Sequence, residues 1–289
     1  MKISLDCIPC LVRQTIDAAM LVSSDITVHE RILREVLRWT ADMDMGQPAP
    51  VLAQLIHRRL REIVGKKDPY REAKDHQNRI ALDLLSELKT EIETAKDPLI
   101  TALRLAIAGN VIDMGVNRKV TESCVRESIS QALTEPFFGN YNGFRNAVAG
   151  AQSILYLTDN AGEIAFDRLL IEQLLSKARV TVAVRGGPVI NDATIADALA
   201  VGLHEIVEII DNGSDAPGTI LGDCSREFKR RFAEADLTIA KGQGNFETLS
   251  DAPGKIIFLF KAKCAVVAKH VRVPLGTHLL ISSCAGLTN

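Results

Sequence analysis

Four short segments of the chain combine carboxylates, amides and basic side chains with glycines. They lie at residues 159–163, 185–192, 211–219 and 241–247. Asp159, Asn160 and Asp192 offer only oxygen to a metal, which favours a hard divalent cation such as Mg²⁺ or Mn²⁺ over zinc. Arg185 and Lys241 add positive charge that suits an anionic, phosphorylated substrate.

Glu163 follows Asp159 by four residues, near the start of a predicted helix, where it could hydrogen-bond substrate or water. An oxygen-ligated cation, basic side chains and a helix N-terminus are together suited to phosphoryl transfer to water. Each segment alone is also explained by turn chemistry, because Asp, Asn and Gly are common in turns and at helix N-caps. Four such segments together favour an active site.

Each of the four segments follows a predicted strand. After about residue 150, short apolar runs alternate with helical segments, and strands are predicted at 153–157, 180–184, 206–210, 236–240, 255–260 and 278–282. This alternation is typical of a mostly parallel sheet flanked by helices. Ligands of such sheets bind beyond the carboxyl ends of the strands, so we expect the four segments to share one edge.

The first half of the chain is predicted to be helical. Residues 8–133 contain about six helices by their apolar periodicity, before a loop rich in Gly and Asn that Glu135-Pro136 opens. Asp68-Pro69 and Asp97-Pro98 have the pattern of an N-cap followed by a first-turn proline.

The predicted fold class is therefore α/β, with two domains. A helical N-terminal domain, residues 1–150, packs on a Rossmann-like, mostly parallel α/β/α sheet domain, residues 151–289, which carries the metal site.

Composition and charge argue against several classes of partner. The chain has 289 residues, of which 47% are hydrophobic and 24% charged, as in ordinary soluble proteins. A net charge of -2 and 4% aromatic residues give no reason to expect nucleic acid or an anionic membrane as partner. No apolar stretch is long enough to span a bilayer and no signal peptide is recognisable, so we expect a cytoplasmic protein. The oligomeric state is not predicted.

Several known motifs are missing from the sequence. It contains no P-loop and no Gly-x-Gly-x-x-Gly at the first strand, which argues against nicotinamide binding. Asp159 is followed by Asn160-Ala161 and not by the x-Asp of aspartyl-phosphate phosphatases. This difference favours a metal-activated water over a covalent aspartyl intermediate.

The cysteines form a separate candidate group. Cys7 and Cys10 have the spacing of a metal knuckle, without a second Cys-x-x-Cys to complete it. Cys264, with Cys284 as a fourth member, would join them in a structural metal site or thiol cluster if the C-terminal segment packs near the N-terminus. Buried, inert cysteines are the alternative.

Four motifs resemble those of the damage-control phosphatases, a family of metal-dependent phosphatases long known as a domain of unknown function. They are GNVIDMG at 109–115, TDNAGE at 158–163, GGPVINDAT at 186–194 and KGQGNFE at 241–247. DCIPC at 6–10 and KAKCAVVAKH at 261–270 resemble the cysteine-containing microbial branch. The resemblance covers nearly the whole chain.

The resemblance implies a helical region packed on a Rossmann-like sheet and a divalent cation, Mn²⁺, Co²⁺, Ni²⁺ or Mg²⁺. It implies that Asp159, Asn160 and Asp192 hold this cation. Glu163 and Lys241 would contact the substrate phosphate or its water.

The resemblance also implies which residues line the substrate pocket. Asn110 and Asp113, on one helix face, would lie opposite Asn245. The substrate would be a small phosphometabolite, such as a sugar phosphate or a damaged cofactor precursor.

The leading hypothesis is a metal-dependent phosphomonoester hydrolase that uses a metal-activated water. Its catalytic residues would be Asp159, Asn160, Asp192, Glu163 and Lys241, and its substrate-binding residues Asn110, Asp113, Arg185 and Asn245. An S-adenosylmethionine-dependent methyltransferase is an alternative, because an acidic edge of a Rossmann-like sheet can hold that cofactor. A non-catalytic module that binds a metal or nucleotide is the third hypothesis.

Overall fold

The computed structural model describes residues 1–111 and 121–283. Its helices are α1 (Cys7–Val22), α2 (Ile26–Asp42), α3 (Ala49–Val64), α4 (Arg71–Thr94), α5 (Pro98–Ala108), α6 (Glu122–Thr134), α7 (Tyr141–Gly150), α8 (Glu163–Leu174), α9 (Ile195–Ala200), α10 (Arg226–Glu234), α11 (Gln243–Leu249) and α12 (Ala265–Val271). Its strands are β1 (Phe137–Phe138), β2 (Ser153–Leu157), β3 (Arg179–Val184), β4 (Glu208–Asp211), β5 (Leu237–Lys241), β6 (Ile256–Lys261) and β7 (His278–Ser282). No helix among these residues is long and apolar enough to cross a membrane.

The strands form one mostly parallel sheet in the order β1-β7-β6-β5-β2-β3-β4. β2 to β6 run parallel to one another, whereas β7 is antiparallel to β6 and β1 pairs parallel with β7. The predicted fold class is confirmed, and all six predicted strands are present to within two residues. β1 was not predicted, because two residues are too short to show a period in the sequence.

The sheet carries a hydrophobic core on each face, because successive side chains of a strand point to opposite sides. Ile154 and Tyr156 of β2 belong to one core, together with apolar residues of α4, α5 and α8. Leu155 and Leu157 belong to the other, with residues of α10, α11 and α12. The resulting α/β/α layers leave the carboxyl ends of β2, β3 and β5 together at one edge.

The helical region packs in two different ways. α1, α2 and α3 share a core of their own, which includes Ile32, Val36, Ile56 and Tyr70. Buried residues of α4, α5 and α6 instead belong to the core on one face of the sheet. The division at residue 150 remains a prediction.

The two predicted proline-marked helix starts have different outcomes. Asp97 caps α5, since its side chain accepts a hydrogen bond from the backbone N–H of Ile100, as predicted. Asp68 does not cap a helix, because α4 begins later and has Tyr70 as its N-cap. Asp68 Oδ1 accepts from the backbone N–H of Tyr70 at 3.0 Å, so this pair forms the preceding turn.

The N-terminal helices contact the sheet through an aspartate in the loop after β4. Asp215 accepts hydrogen bonds from Arg58, Gln54 and Arg61 of α3. The distance from Arg58 Nε to Asp215 Oδ1 is 2.8 Å. Burial alone would raise the pKa of Asp215, but these hydrogen bonds outweigh it and lower the pKa to about 2. We call this group the Asp215 clamp.

Candidate active site

The backbone brings the three predicted metal ligands together. Asp159 and Asn160 follow β2, and Asp192 follows β3. Asn160 and Asp192 pair in an isolated antiparallel β-bridge, and the backbone N–H of Ala193 donates to the backbone oxygen of Asp159 at 2.7 Å. The segments after two neighbouring strands are therefore fixed to each other before any ligand binds.

Hydrogen bonds determine which way the amide of Asn160 faces. Its Nδ2 donates to Asp159 Oδ2 at 2.9 Å and to Glu163 Oε2 at 3.0 Å. The Nδ2 of Asn110 donates to the same two oxygens, at 3.2 and 3.0 Å. Ionised carboxylates only accept, so both NH₂ groups must face them. The carbonyl oxygen of Asn160 consequently faces away from Asp159 and Glu163.

Two glycines let the backbone approach these side chains closely. Gly162 has φ 75° and is the N-cap of α8, and its N–H donates to Asn78 Oδ1 of α4 at 2.7 Å. Gly242 has φ 80°, and a Cβ atom there would lie 2.0 Å from Asp159 Oδ2. Only glycine leaves room for the Asp159 carboxylate beside the turn between β5 and α11.

Arg185 lies beside both predicted carboxylate ligands and is 3% exposed. Its Nε donates to Asp192 Oδ2 at 2.7 Å, and its Nη1 to Asn245 Oδ1 at 3.2 Å. Its Nη2 is 3.7 Å from Asp159 Oδ1 and has no hydrogen-bond acceptor in the described part of the chain. A fixed guanidinium thus retains donor capacity next to the carboxylates.

Asn245, predicted to bind substrate, is fully hydrogen-bonded within the protein. Its Nδ2 donates to the backbone oxygens of Thr158 and Lys241, at 3.2 and 2.8 Å. Its Oδ1 accepts from Thr219 Oγ1 at 2.8 Å as well as from Arg185. Asn245 therefore connects α11 to the ends of β2 and β5.

Lys241 is fully buried and contacts three acceptors. Its Nζ donates to the backbone oxygen of Ala106 at 2.7 Å, to Glu163 Oε1 at 2.6 Å and to Asp167 Oδ1 at 2.5 Å. Tyr156 Oη also donates to Asp167 Oδ1, at 2.8 Å. Burial lowers the pKa of Lys241, but the two carboxylates outweigh it and raise the pKa. Burial raises the pKa of Asp167 to about 7, against the effect of Lys241.

The donor chemistry fits a hard divalent cation. Asp159, Asn160 and Asp192 supply two carboxylates and one amide, all with oxygen donors. The lack of a Cβ at Gly242 leaves room for the Asp159 carboxylate itself. Within residues 1–111 and 121–283, no three or more His, Cys, Asp and Glu side chains are grouped to hold a metal, so any site here depends on the amide.

Comparison with known proteins decides the family. The family described as "Damage-control phosphatase ARMT1-like domain" matches residues 3–279. A protein of Archaeoglobus fulgidus named "Damage-control phosphatase" is 38% identical over 281 residues, which cover 96% of this chain and 97% of the relative. The chain belongs to the damage-control phosphatase family.

Two further relatives and a solved structure match along nearly the whole chain. "Damage-control phosphatase PH1575" of Pyrococcus horikoshii is 34% identical, over 96% of each chain. The uncharacterized protein MJ0202 of Methanocaldococcus jannaschii is 36% identical, over 97% of this chain and 95% of its own. A crystal structure of the Pyrococcus horikoshii protein superposes with a TM-score of 0.89 at 32% identity, covering 98% of this chain and 100% of the other.

The predicted site residues of this damage-control phosphatase chain contact one another at the sheet edge. Connected by the contacts above are Asn110, Asp159, Asn160, Glu163, Arg185, Asp192, Lys241 and Asn245. Asp113 lies outside the described residues. Sequence reasoning missed Asp167, although it follows Glu163 by four residues and so shares its helix face. It also missed Tyr156, and it assigned no role to Thr219 or Gly242, although both lie in predicted site segments.

The cysteines of the chain are partly brought together. Burial is the main cause of the raised pKa of Cys7 and Cys10, and the nearby Cys264 thiol raises both pKa values further. A raised pKa favours the neutral thiol, whereas reactive or metal-binding cysteines are thiolates. Cys284 lies outside the described residues. A metal site or thiol cluster at Cys7, Cys10 and Cys264 remains a prediction.

Proposed function

We propose that the chain is a metal-dependent phosphatase that transfers the phosphoryl group of a small phosphorylated metabolite to water. The observation that carries the proposal is the meeting of Asp159, Asn160 and Asp192 beside the buried guanidinium of Arg185. Membership of the damage-control phosphatase family supports the reaction class. The substrate we propose is a sugar phosphate or a damaged cofactor precursor.

Asp159, Asn160 and Asp192 would hold the divalent cation, for which Mn²⁺, Co²⁺, Ni²⁺ and Mg²⁺ are candidates. When bound, the cation polarises the phosphoryl group and lowers the pKa of water. Hydrogen bonds to Asp192 and Asn245 hold the Arg185 guanidinium in one orientation. We assign its Nη2 as the donor to a phosphate oxygen. In the overall reaction water adds to phosphorus, the ester P–O bond breaks, and the alcohol and inorganic phosphate leave.

Glu163 and Lys241 were predicted to be catalytic, and we assign them roles that follow from their contacts. Glu163 accepts from both asparagine amides and from Lys241, so it orients the amide of Asn160. The Lys241 ammonium donates to Glu163 Oε1 at 2.6 Å and so holds this carboxylate in place beside the two amides. The predicted contact of either side chain with phosphate remains a prediction.

The test is phosphate release from a panel of sugar phosphates and phosphorylated cofactor precursors. Activity should disappear with a chelator and return with Mn²⁺, Co²⁺ or Ni²⁺. Asp159→Ala should lower it by at least about 100-fold, since loss even of a partner behind a metal ligand costs about 10–100-fold.

The control for Asp159→Ala is Asp83→Ala, an exposed aspartate within α4. This variant should keep wild-type activity. Chelator-resistant turnover, or equal activity in Asp159→Ala and wild type, would contradict the proposal.

A further inference from the structure

The Lys241 ammonium has no hydrogen left for a substrate in this structure. An ammonium carries three hydrogens, and Ala106, Glu163 and Asp167 provide three acceptors at 2.5–2.7 Å. The side chain is also fully buried. Direct contact with phosphate would require one of these hydrogen bonds to break, so the effect of Lys241 passes through the carboxylates.

A connected set of hydrogen bonds leads from the core of the sheet to the amide of Asn160. Tyr156 donates to Asp167, and both Tyr156 and Lys241 bind the same oxygen, Oδ1. Lys241 also binds Glu163 Oε1, and the other oxygen of Glu163 accepts from Asn160. We call Tyr156, Asp167, Lys241 and Glu163 the buried relay.

Stability alone does not account for the buried relay. Removing two carboxylates and an ammonium from water carries a desolvation cost that their attraction often fails to offset, and apolar replacements of buried ion pairs are often as stable. Ionic groups fixed in this way do, however, impose one geometry on their partners. The buried relay ends at Glu163, whose partner is the amide of Asn160. The carbonyl oxygen of this amide is the one that we assign to the cation.

We propose that Asp167 and Tyr156 are positioning residues, which act through Lys241 and Glu163 to turn the carbonyl oxygen of Asn160 toward the cation. Asp159 and Glu163 accept hydrogen bonds from both N–H groups of the Asn160 amide. As long as Glu163 is held in place, the carbonyl oxygen of Asn160 therefore has a single orientation. This inference rests on the proposed function, because it assigns a cation to Asn160.

The experiment measures Mn²⁺ binding by calorimetric titration of the metal-free protein, without substrate. Asp167→Asn keeps the shape of the side chain and removes its charge, and it should weaken Mn²⁺ binding by about 10–100-fold, the usual effect of residues behind metal ligands. Tyr156→Phe removes only one hydroxyl, so we expect it to weaken Mn²⁺ binding by about tenfold, the lower end of that range. At saturating Mn²⁺ the KM for a phosphate ester should stay at the wild-type value.

The chain offers a control for each variant. Tyr70→Phe also removes a buried tyrosine hydroxyl, which hydrogen-bonds His57 Nδ1 at 2.7 Å. Glu35→Gln also removes the charge of a carboxylate paired with a basic side chain, Arg59 of α3, at 2.6 Å. Both controls should bind Mn²⁺ as the wild type does, even where their melting temperatures fall.

Two results would overturn the inference while leaving the proposed function intact. One is Mn²⁺ binding by Asp167→Asn and Tyr156→Phe within twofold of their controls. The other is a KM for the phosphate ester that is raised at saturating Mn²⁺, which would mean that Lys241 contacts the phosphate directly. A wild-type protein that binds no divalent cation would contradict the proposed function itself, and is seen before any variant is made.

Discussion

The backbone at Gly242 passes directly beside the carboxylate of Asp159. Gly242 has φ 80° and ψ 160°, a conformation that residues with a Cβ rarely adopt. It is also the position where a Cβ would contact Asp159 Oδ2. Asp159, a proposed metal ligand, can therefore be displaced by a substitution at Gly242, without altering any of the proposed ligand residues.

We predict that Gly242→Ala weakens Mn²⁺ binding at least about tenfold, because an alanine methyl would push Asp159 aside. Backbone strain should also lower the free energy of unfolding by about 1–3 kcal/mol. Calorimetric titration and urea unfolding measure the two effects. Gly222→Ala is the control, since a Cβ there meets nothing within 4 Å. Wild-type Mn²⁺ affinity in Gly242→Ala would show that the contact does not matter.

Single residues differed in how far the sequence could predict them. Asp159 and Asp192 stand where ligand-binding residues of a parallel sheet are expected, directly after predicted strands. Asn110 was expected only through the family resemblance, since nothing local distinguishes it from a solvent-facing asparagine. The closeness of Gly242 to Asp159 depends on the pairing of β2 with β5, which no local pattern reveals.

α4 fixes the start of α8, the helix that carries Glu163. Asn78 of α4 accepts from the N–H of Gly162 at 2.7 Å and donates to Asp197 Oδ1 at 3.0 Å. All three residues are buried or nearly so, so water cannot replace these partners at low cost. The position of Glu163 thus depends on a helix more than 80 residues earlier in the chain.

We predict that Asn78→Ala lowers the free energy of unfolding by about 1–3 kcal/mol, because it leaves a buried N–H without an acceptor. It should also weaken Mn²⁺ binding, since the first turn of α8 becomes less well fixed. Urea unfolding and metal titration test both. Asn140→Ala removes an N-cap acceptor of α7 away from the site, so it should lose about 1 kcal/mol and keep its Mn²⁺ affinity. Equal Mn²⁺ affinity in Asn78→Ala and Asn140→Ala would show that Mn²⁺ binding does not depend on Asn78.

Helices and strands were largely predictable because their apolar periods are local. The reversed direction of β7 was not, since its apolar run has the same composition as those of the parallel strands. The strand order was equally inaccessible, because pairings such as β2 with β5 join residues far apart in sequence.

The Asp215 clamp makes the stability of the whole molecule depend on acidity. The folded-state pKa of Asp215 is about 2, below its ordinary value of 3.8. The carboxylate therefore stabilises the fold fully above about pH 4, and this contribution is lost as the pH falls through about 2.

We predict that Asp215→Asn lowers the free energy of unfolding at pH 7 by about 1–2 kcal/mol, allowing for partial exposure to solvent. The difference from wild type should shrink between pH 4 and pH 2, as the wild-type carboxylate becomes protonated. Urea unfolding at a series of pH values measures it. A difference in the free energy of unfolding that stays constant from pH 4 to pH 2 would show that the ionised Asp215 carboxylate does not stabilise the fold.

The Asp215 clamp joins residues that the ribosome synthesises at different times. Arg61 and Asp215 are 154 residues apart. At about 5–20 residues per second, the ribosome reaches Asp215 roughly 8–30 s after it has added Arg61. During that interval α1, α2 and α3 can form their own core, but Arg58 and Arg61 of α3 still lack their partner Asp215. Lys241 follows later still, so the candidate active site is among the last parts of the nascent chain to be completed.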